Sequence, residues 1–299
     1  MIVVQQAKYA LFPGCNIPWY YPDIEQSIRK TLPALGIELE DIEGYNCCTA
    51  PAILPSIDET AWLAVSGRNF TIAEGMGLDI VAGCNGCYSI LSHTHALLQD
   101  EGKREAANNL LKLVNREYKG TSNVFHVVHA LYHDVGTDKI KASLKTSLDN
   151  IKVSLEIGCH QLWPSELFQQ DDPLQPKILS ELGEALGAEV CTYSMLLRCC
   201  GGSGLRALAQ AKSYELVEEK LNAIKKEADP DIILTSCPSC FVQMDQGQEA
   251  LRKAGKIDYS IPVFYYTQAL ALCMGFDPEQ VAACSTTPRD KMIDRIING

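Results

Sequence analysis

No run in the 299 residues reaches the ~18 consecutive apolar residues that a membrane helix needs. The nearest candidate, Ile261 to Phe276, is interrupted by Pro262, Thr267 and Gln268. The opening Met-Ile-Val-Val-Gln-Gln-Ala-Lys has neither the basic start nor the long apolar segment of a secretory leader. Positive charge is also scarce. Twenty-six Lys and Arg stand against 37 Asp and Glu, a net charge of -11. A broad nucleic-acid surface or an anionic membrane face requires a basic patch, so both are excluded as expectations. Low-complexity linkers are missing too, so two halves of this chain should pack together rather than swing. Together these absences predict a soluble cytoplasmic protein with no nucleic-acid partner and no membrane insertion.

Cysteine, by contrast, is abundant. Ten of the 13 cysteines form one arrangement that occurs twice. The first copy is Cys15, the vicinal pair Cys47-Cys48, and Cys84-Asn85-Gly86-Cys87; the second is Cys159, Cys199-Cys200, and Cys237-Pro238-Ser239-Cys240. The intervening stretches are 31 and 39 residues before the pair and 35 and 36 after it. In a reducing compartment, so many cysteines point to metal or redox chemistry rather than to structural disulfides. A disulfide within a vicinal pair would also demand a strained eight-membered ring. Cys191, Cys273 and Cys284 fall outside the pattern and read as small buried hydrophobes.

The pattern around the cysteines is strand, cysteine loop, helix. Residues 8 to 13 read as a strand delivering Cys15, with Lys8 at the surface, and Tyr21 to Leu35 as a helix closed by Gly36. A half-exposed strand over Ile37 to Ile42 leads to the first pair. Ser56-Ile57-Asp58-Glu59 resembles a capping box opening a helix that stops at Gly77. Asp79 to Ala82 is a strand ending at Cys84, and Cys87 opens the next helix. Residues 88 to 150 are mainly helical, with a further strand near Asn123 to Val128. A second cycle follows: strands at Val153–Ile157, Glu189–Thr192 and Asp231–Thr235, a helix over Ile178–Leu186, and a long helix from Leu205 through Ile224. Cys240 begins a further helix, Pro262 to Tyr266 adds a last strand, and Pro288 to Gly299 forms a tail helix. Such alternation predicts an α/β fold of two similar tandem domains, residues 1–150 and 151–299, each a small, mostly parallel sheet flanked by helices. Ligand sites in such folds gather in loops at the carboxyl ends of strands.

Three chemistries compete for the ten thiols. Tetrahedral zinc takes four ligands, whereas each half offers five, and a vicinal pair fits one tetrahedron poorly. A dithiol oxidoreductase needs only a Cys-x-x-Cys at a helix start, leaving the other six cysteines unused. Iron–sulfur clusters accept thiolates from several loops in unusual numbers, and this reading uses all ten.

The twice-repeated Cys, Cys-Cys-Gly and Cys-x-x-Cys pattern resembles the cysteine-rich CCG domain family, over nearly the whole span from Cys15 to Cys240. That family includes the B-type subunit of heterodisulfide reductase from methanogens, and components of some succinate, lactate, glycolate and glycerol-3-phosphate oxidoreductases. Several relatives carry a ferredoxin-like Cys-x2-Cys-x2-Cys-x3-Cys-Pro segment; this chain has none, and so looks most like the heterodisulfide reductase type. The resemblance implies a non-cubane [4Fe-4S] cluster on each five-cysteine set; zinc stays open as the alternative at the first. It implies reduction of the CoM-S-S-CoB heterodisulfide in methanogenesis. It implies a ferredoxin-like iron–sulfur subunit and a flavin-containing subunit as partners, with hydrogenase or formate dehydrogenase as the ultimate donor. The alternative is a CCG-type electron-transfer subunit of a succinate-, lactate- or glycolate-type oxidoreductase. The first copy departs from the family pattern, because Thr49 stands where the second has Gly201.

Anionic substrate groups need donors inside an acidic protein. Candidates are Gly201-Gly202-Ser203-Gly204, whose backbone N–H groups precede a helix, with Arg198 and Arg206 flanking it and His160 beside Cys159. The competing explanation is that the glycines only let backbone approach the metal site. His93 and His95 follow Cys87 along its helix, while His126, His129 and His133 read as structural. Tyr265, Tyr266 and Leu270 read as core.

Overall fold

The computed structural model describes residues 7–49 and 54–298. Two four-stranded, all-parallel sheets organise the chain. The first has the order β2 (Glu38–Asp41), β1 (Lys8–Phe12), β3 (Asp79–Ala82), β4 (Val124–His126). The second repeats it as β6 (Glu189–Cys191), β5 (Lys152–Glu156), β7 (Ile232–Thr235), β8 (Val263–Tyr265). Corresponding strands pair in like register: Tyr9 opposes Asp79 in the first sheet as Val153 opposes Ile232 in the second. The central strands are apolar runs, Tyr-Ala-Leu-Phe and Ile-Ile-Leu-Thr, buried on both faces as parallel sheets require. Helices cover them, and the central strands of both sheets end at the cysteine loops.

The two halves form one packed body. The helix Pro22–Ala34 of the first lies against Tyr266–Cys273 of the second. Ser27 Oγ and Thr267 Oγ1 stand 2.6 Å apart across that seam, and Gln268 Nε2 donates to Asp23 Oδ2 at 2.9 Å. Asp23 also receives Arg289 Nη2 at 3.1 Å, a buried ion pair that ties the C-terminal segment to the first half. Tyr265 and Tyr266 are completely buried, as core residues. Among the described residues no helix is long and apolar enough to cross a membrane.

Several local expectations are corrected. Ser56 sits in a short helix, Leu54–Ile57, and the following helix Glu59–Met76 is capped instead by Asp58, whose carboxylate accepts from Ala61 N at 2.9 Å. The helix expected to run unbroken from Leu205 is two: Gly204–Leu208 and Gln210–Glu227, separated by the non-helical backbone of Ala209. Cys84 and Cys237 are themselves the N-caps of the Asn85–Leu97 and Pro238–Lys253 helices, so Cys87 and Cys240 lie in the first turns rather than opening them. Cys273 is buried, but Cys191 and Cys284 are partly exposed, because Cys191 ends an edge strand and Cys284 lies in a loop.

Candidate metal centre

Each sheet delivers its cysteines by the same route. β1 and β5 end two residues before a glycine, Gly14 or Gly158, that turns the chain with positive φ of 72° or 81° and presents Cys15 or Cys159. The need for glycine is steric as well as conformational. A Cβ on Gly14 would sit 2.9 Å from Cys87 Sγ, and one on Gly158 would sit 3.3 Å from Cys240 Sγ and 2.6 Å from Asn85 Nδ2. β3 and β7 end two residues before Cys84 and Cys237, which cap the starts of the following helices. The vicinal pairs arrive on the loops after the edge strands β2 and β6.

The result is two crowded sulfur sets. Cys48 and Cys87 sulfurs lie 3.3 Å apart, and Cys200 and Cys240 3.5 Å apart, too far for disulfides near 2.05 Å. Cys15 lies against Cys47, and Cys159 against Cys199. Thiols donating to one another divide the sets into raised and lowered members. Donation from Cys159, then from Cys200, holds the Cys199 thiol well below its ordinary range, aided by Gly201 N–H at 3.4 Å. Cys237 is likewise held low by Cys240 and Cys84. The last contact crosses the seam: Cys84 of the first set touches Cys237 of the second. Cys48, Cys84, Cys87, Cys200, Cys237 and Cys240 are buried. Soft thiolates from three loops, packed against glycine cradles, are a donor set that fits iron–sulfur binding.

The residue after each vicinal pair takes the left-handed conformation, Thr49 at φ 73° and Gly201 at φ 79°. Glycine does so without strain, whereas threonine must be held there. Its Oγ1 accordingly bonds Cys48 O at 2.5 Å and lies 3.1 Å from Ser66 Oγ, turned toward the helix and not into the sulfur set. Gly201 has a further constraint, since a Cβ there would meet Ser213 O at 2.7 Å.

The seam also orders the cysteine loops. Tyr265 Oη, from β8, donates to Gly83 O at 2.8 Å beside Cys84. Asn85 Nδ2 donates to Ile157 O at 2.7 Å, and Asn16 Nδ2 to Ser239 Oγ at 2.9 Å. A cavity of about 460 Å³ opens against the first set, between Cys15, Cys47, Cys84 and Cys87 on one side and Ser203, Gly204 and Arg206 on the other. Among the described residues Arg206 is the one basic side chain in its wall. A smaller, more enclosed space at the second set is lined by Cys159, Cys199, Cys237 and His160. Gly86, Ser203 and Ser239 line both, so the two spaces adjoin.

The other candidates separate. Arg206 reaches the cavity wall, its guanidinium held by Val242 O at 3.3 Å and Gln246 Oε1 at 2.8 Å. Arg198 does not reach it; its side chain is 63% exposed and faces Glu219. Gly201 N–H is turned to the Cys199 sulfur, and a Cβ on Gly202 would lie 3.3 Å from Cys200 Sγ, so these glycines serve close approach. His160 Nδ1 lies 3.3 Å from Ser89 Oγ. His93 packs on Trp62 and His95 bonds Tyr118, both away from the sulfurs. His126 and His129 are buried, and burial depresses both, His126 to about 4. His133 is exposed.

Sequence reasoning passed over one feature. Glu156, the last residue of β5, and Lys220 are both fully buried and pair at 2.5 Å beside the second set. A carboxylate oxygen of Glu156 and the sulfurs of Cys200 and Cys240 all lie within 4.8 Å of one another. Burial pushes the Glu156 carboxyl up, against the pull of Lys220. Burial works against the Lys220 ammonium too, but Glu156 outweighs it and leaves that group above its usual range. Lys220 was readable: it falls on the buried stripe Ser213, Val217, Leu221, Ile224 of its helix, where a lysine is out of place.

Comparison with known proteins agrees with this geometry. The cysteine-rich CCG domain matches twice, over residues 9–92 and 153–245. A protein of Archaeoglobus profundus, named as similar to the heterodisulfide reductase B-type subunit, is 47% identical, over 97% of this chain and 98% of that one. The B-type subunit of a ferredoxin/F(420)H(2)-dependent CoB-CoM heterodisulfide reductase of Methanosarcina acetivorans is 40% identical, over 92% of each. The 8-methylmenaquinol:fumarate reductase membrane anchor subunit of Wolinella succinogenes is 30% identical, over 92% of this chain and 95% of that one. The crystal structure of a hypothetical protein from Helicobacter pylori shares the fold at TM-score 0.70 and 14% identity, covering 92% of this chain and 50% of that chain. The chain therefore belongs to the two-copy cysteine-rich CCG family, together with proteins named as the B-type subunit of heterodisulfide reductase.

Proposed function

We propose that this chain is the disulfide-reducing subunit of a heterodisulfide reductase, acting on CoM-S-S-CoB. In this reading residues 1–150 hold one non-cubane [4Fe-4S] cluster through Cys15, Cys47, Cys48, Cys84 and Cys87. Residues 151–299 hold the other through Cys159, Cys199, Cys200, Cys237 and Cys240. The observation that carries it is the meeting of the two sulfur sets at Cys84 and Cys237, with adjoining spaces at both. Cleaving a disulfide takes two electrons. When bound, each cluster would supply one electron at a time and a Lewis-acidic iron.

The chain's own residues supply the rest. Arg206, fixed by Val242, Gln243 and Gln246, gives an anionic arm of the substrate a cation whose position is set in advance. Ser203 and Ser239 add neutral donors where the two spaces adjoin, and Asn16 adds one in the wall of the larger. Among the described residues His160 is the one ionisable side chain other than cysteine lining the inner space; it lies 3.3 Å from Ser89 Oγ and is placed to give a proton to a product thiolate. Electrons reach the chain from a ferredoxin-like iron–sulfur subunit and a flavin-containing subunit, fed by hydrogenase or formate dehydrogenase.

A second reading, an electron-transfer subunit of a succinate-, lactate- or glycolate-type oxidoreductase, rests on the 30% identity to the fumarate reductase subunit. Anaerobic assay with a reduced viologen and CoM-S-S-CoB separates the two. Two thiols formed per disulfide consumed supports the first. A chain that keeps its iron, leaves the disulfide intact and exchanges electrons with a quinol belongs to the second.

A further inference from the structure

Aligning the repeats on their cysteines exposes a difference in charge. Glu156 lies three residues before Cys159, and the same place before Cys15 is Phe12, a buried ring packed on Tyr45. Lys220 lies 20 residues after Cys200, and the same place after Cys48 is Arg68. Lys220 Nζ donates to Arg198 O at 2.5 Å and Leu196 O at 3.4 Å, pinning the loop that carries the second vicinal pair. Arg68 does the same for the first pair through Gly44 O at 2.8 Å and Asn46 Oδ1 at 2.9 Å. A cation thus holds each loop, and among the described residues no carboxylate forms an ion pair with Arg68.

Glu156 is therefore not required for pinning. Its carboxylate lies against Cys200 and Cys240, it is paired with the Lys220 ammonium, and neither group reaches solvent. A buried carboxylate next to thiolates stays ionised only with such a partner. The pair is neutral in sum, but it puts a carboxylate oxygen within 4.8 Å of both the Cys200 and Cys240 sulfurs, where screening is weak.

Resting on the iron–sulfur reading above, we propose that Glu156 and Lys220 are positioning residues that bias the second site electrostatically, making a cluster there harder to reduce than a neutral pair would. The first site carries no such bias, so the two halves are electronically inequivalent despite their matching cysteines. Electrons entering the chain then reside first at the site open to the larger cavity.

The test is a potentiometric titration of the anaerobically purified chain, followed by electron paramagnetic resonance and visible absorption. Wild type is compared with Glu156→Gln and with the charge-free double variant Glu156→Gln/Lys220→Met. Both variants are expected to keep the iron content of wild type. Both should raise the midpoint of one cluster by at least a tenfold change in its one-electron equilibrium, about 59 mV, and leave the other unmoved. Lys220→Arg, which keeps the charge, should hold the wild-type value. Unchanged midpoints in the double variant overturn the proposal. So does loss of half the iron from Glu156→Gln, which would make Glu156 a ligand. A wild-type chain that binds no iron refutes the iron–sulfur reading itself, a result distinct from either of these.

Discussion

Gly201→Ala and Thr49→Gly change equivalent positions of the two repeats in opposite directions. At Gly201, alanine must adopt φ 79°, which costs about 1–2 kcal/mol. Its Cβ would also lie 2.7 Å from Ser213 O and 3.0 Å from Leu216 Cβ. Ser213 O belongs to helix backbone, so relief requires moving the Gln210–Glu227 helix, at about 1–3 kcal/mol. Reduced freedom of the unfolded chain returns about 0.4–1 kcal/mol. The net loss is about 1–4.6 kcal/mol, centred near 3. At Thr49, glycine relieves a comparable backbone strain. It forfeits the contact with Ser66 Oγ and adds unfolded-state entropy, each about 1 kcal/mol or less, so the net change stays within about 1 kcal/mol of zero. Urea unfolding of the iron-free chain, with iron content after anaerobic reconstitution, reads both effects. Equal destabilisation by the two substitutions would refute the assignment of Gly201 as a position that admits no side chain.

Further outcomes follow from the buried polar groups and from the cysteines. Burial holds His126 neutral with a pKa of about 4, against about 6.5 unfolded, so the unfolded state takes up the proton first. The stability this contributes is complete above pH 6.5 and falls by up to about 3 kcal/mol as pH drops toward 4; His129 acts in the same direction. His126→Asn, which keeps an acceptor for Val128 N, should flatten that dependence in urea unfolding at pH 7.5 and 5, and an unchanged slope would contradict it. Arg289→Met strands the buried Asp23 carboxylate and should cost about 3 kcal/mol in the same assay, at the low end for a broken buried pair because Gln268 and Cys284 N still serve Asp23. Cys200→Ala should lower iron from about eight to about four per chain and abolish heterodisulfide reduction. Full activity in that variant would remove Cys200 from the ligand set.

Much of this architecture is legible in the sequence because parallel strands announce themselves. Apolar runs such as Tyr9 to Phe12 and Ile232 to Leu234 end where the cysteines begin, and the repeat spacing places them at equivalent strand ends. The positive φ at Thr49 follows from its place opposite Gly201, although its hydrogen bond to Ser66 does not. What sequence withholds is contact across the seam. Nothing local in Gly83-Cys84 reveals that Tyr265 from the last strand closes on it, or that Cys84 meets Cys237. Arg198 was misplaced for a related reason: adjacency to the vicinal pair fixes its backbone, whose carbonyl meets Lys220, while its side chain leaves for solvent. The break at Ala209 likewise lies within a continuous helical pattern; beyond it the following helix packs on Gly201, with Ser213 Oγ donating to Gly201 O at 2.6 Å.

Iron and acid-labile sulfide per chain, measured on anaerobically purified protein, test the central claim most directly. Ten thiolates holding two clusters predict about eight of each, with broad visible absorption. About four irons with one zinc, or a colourless zinc protein, would contradict it.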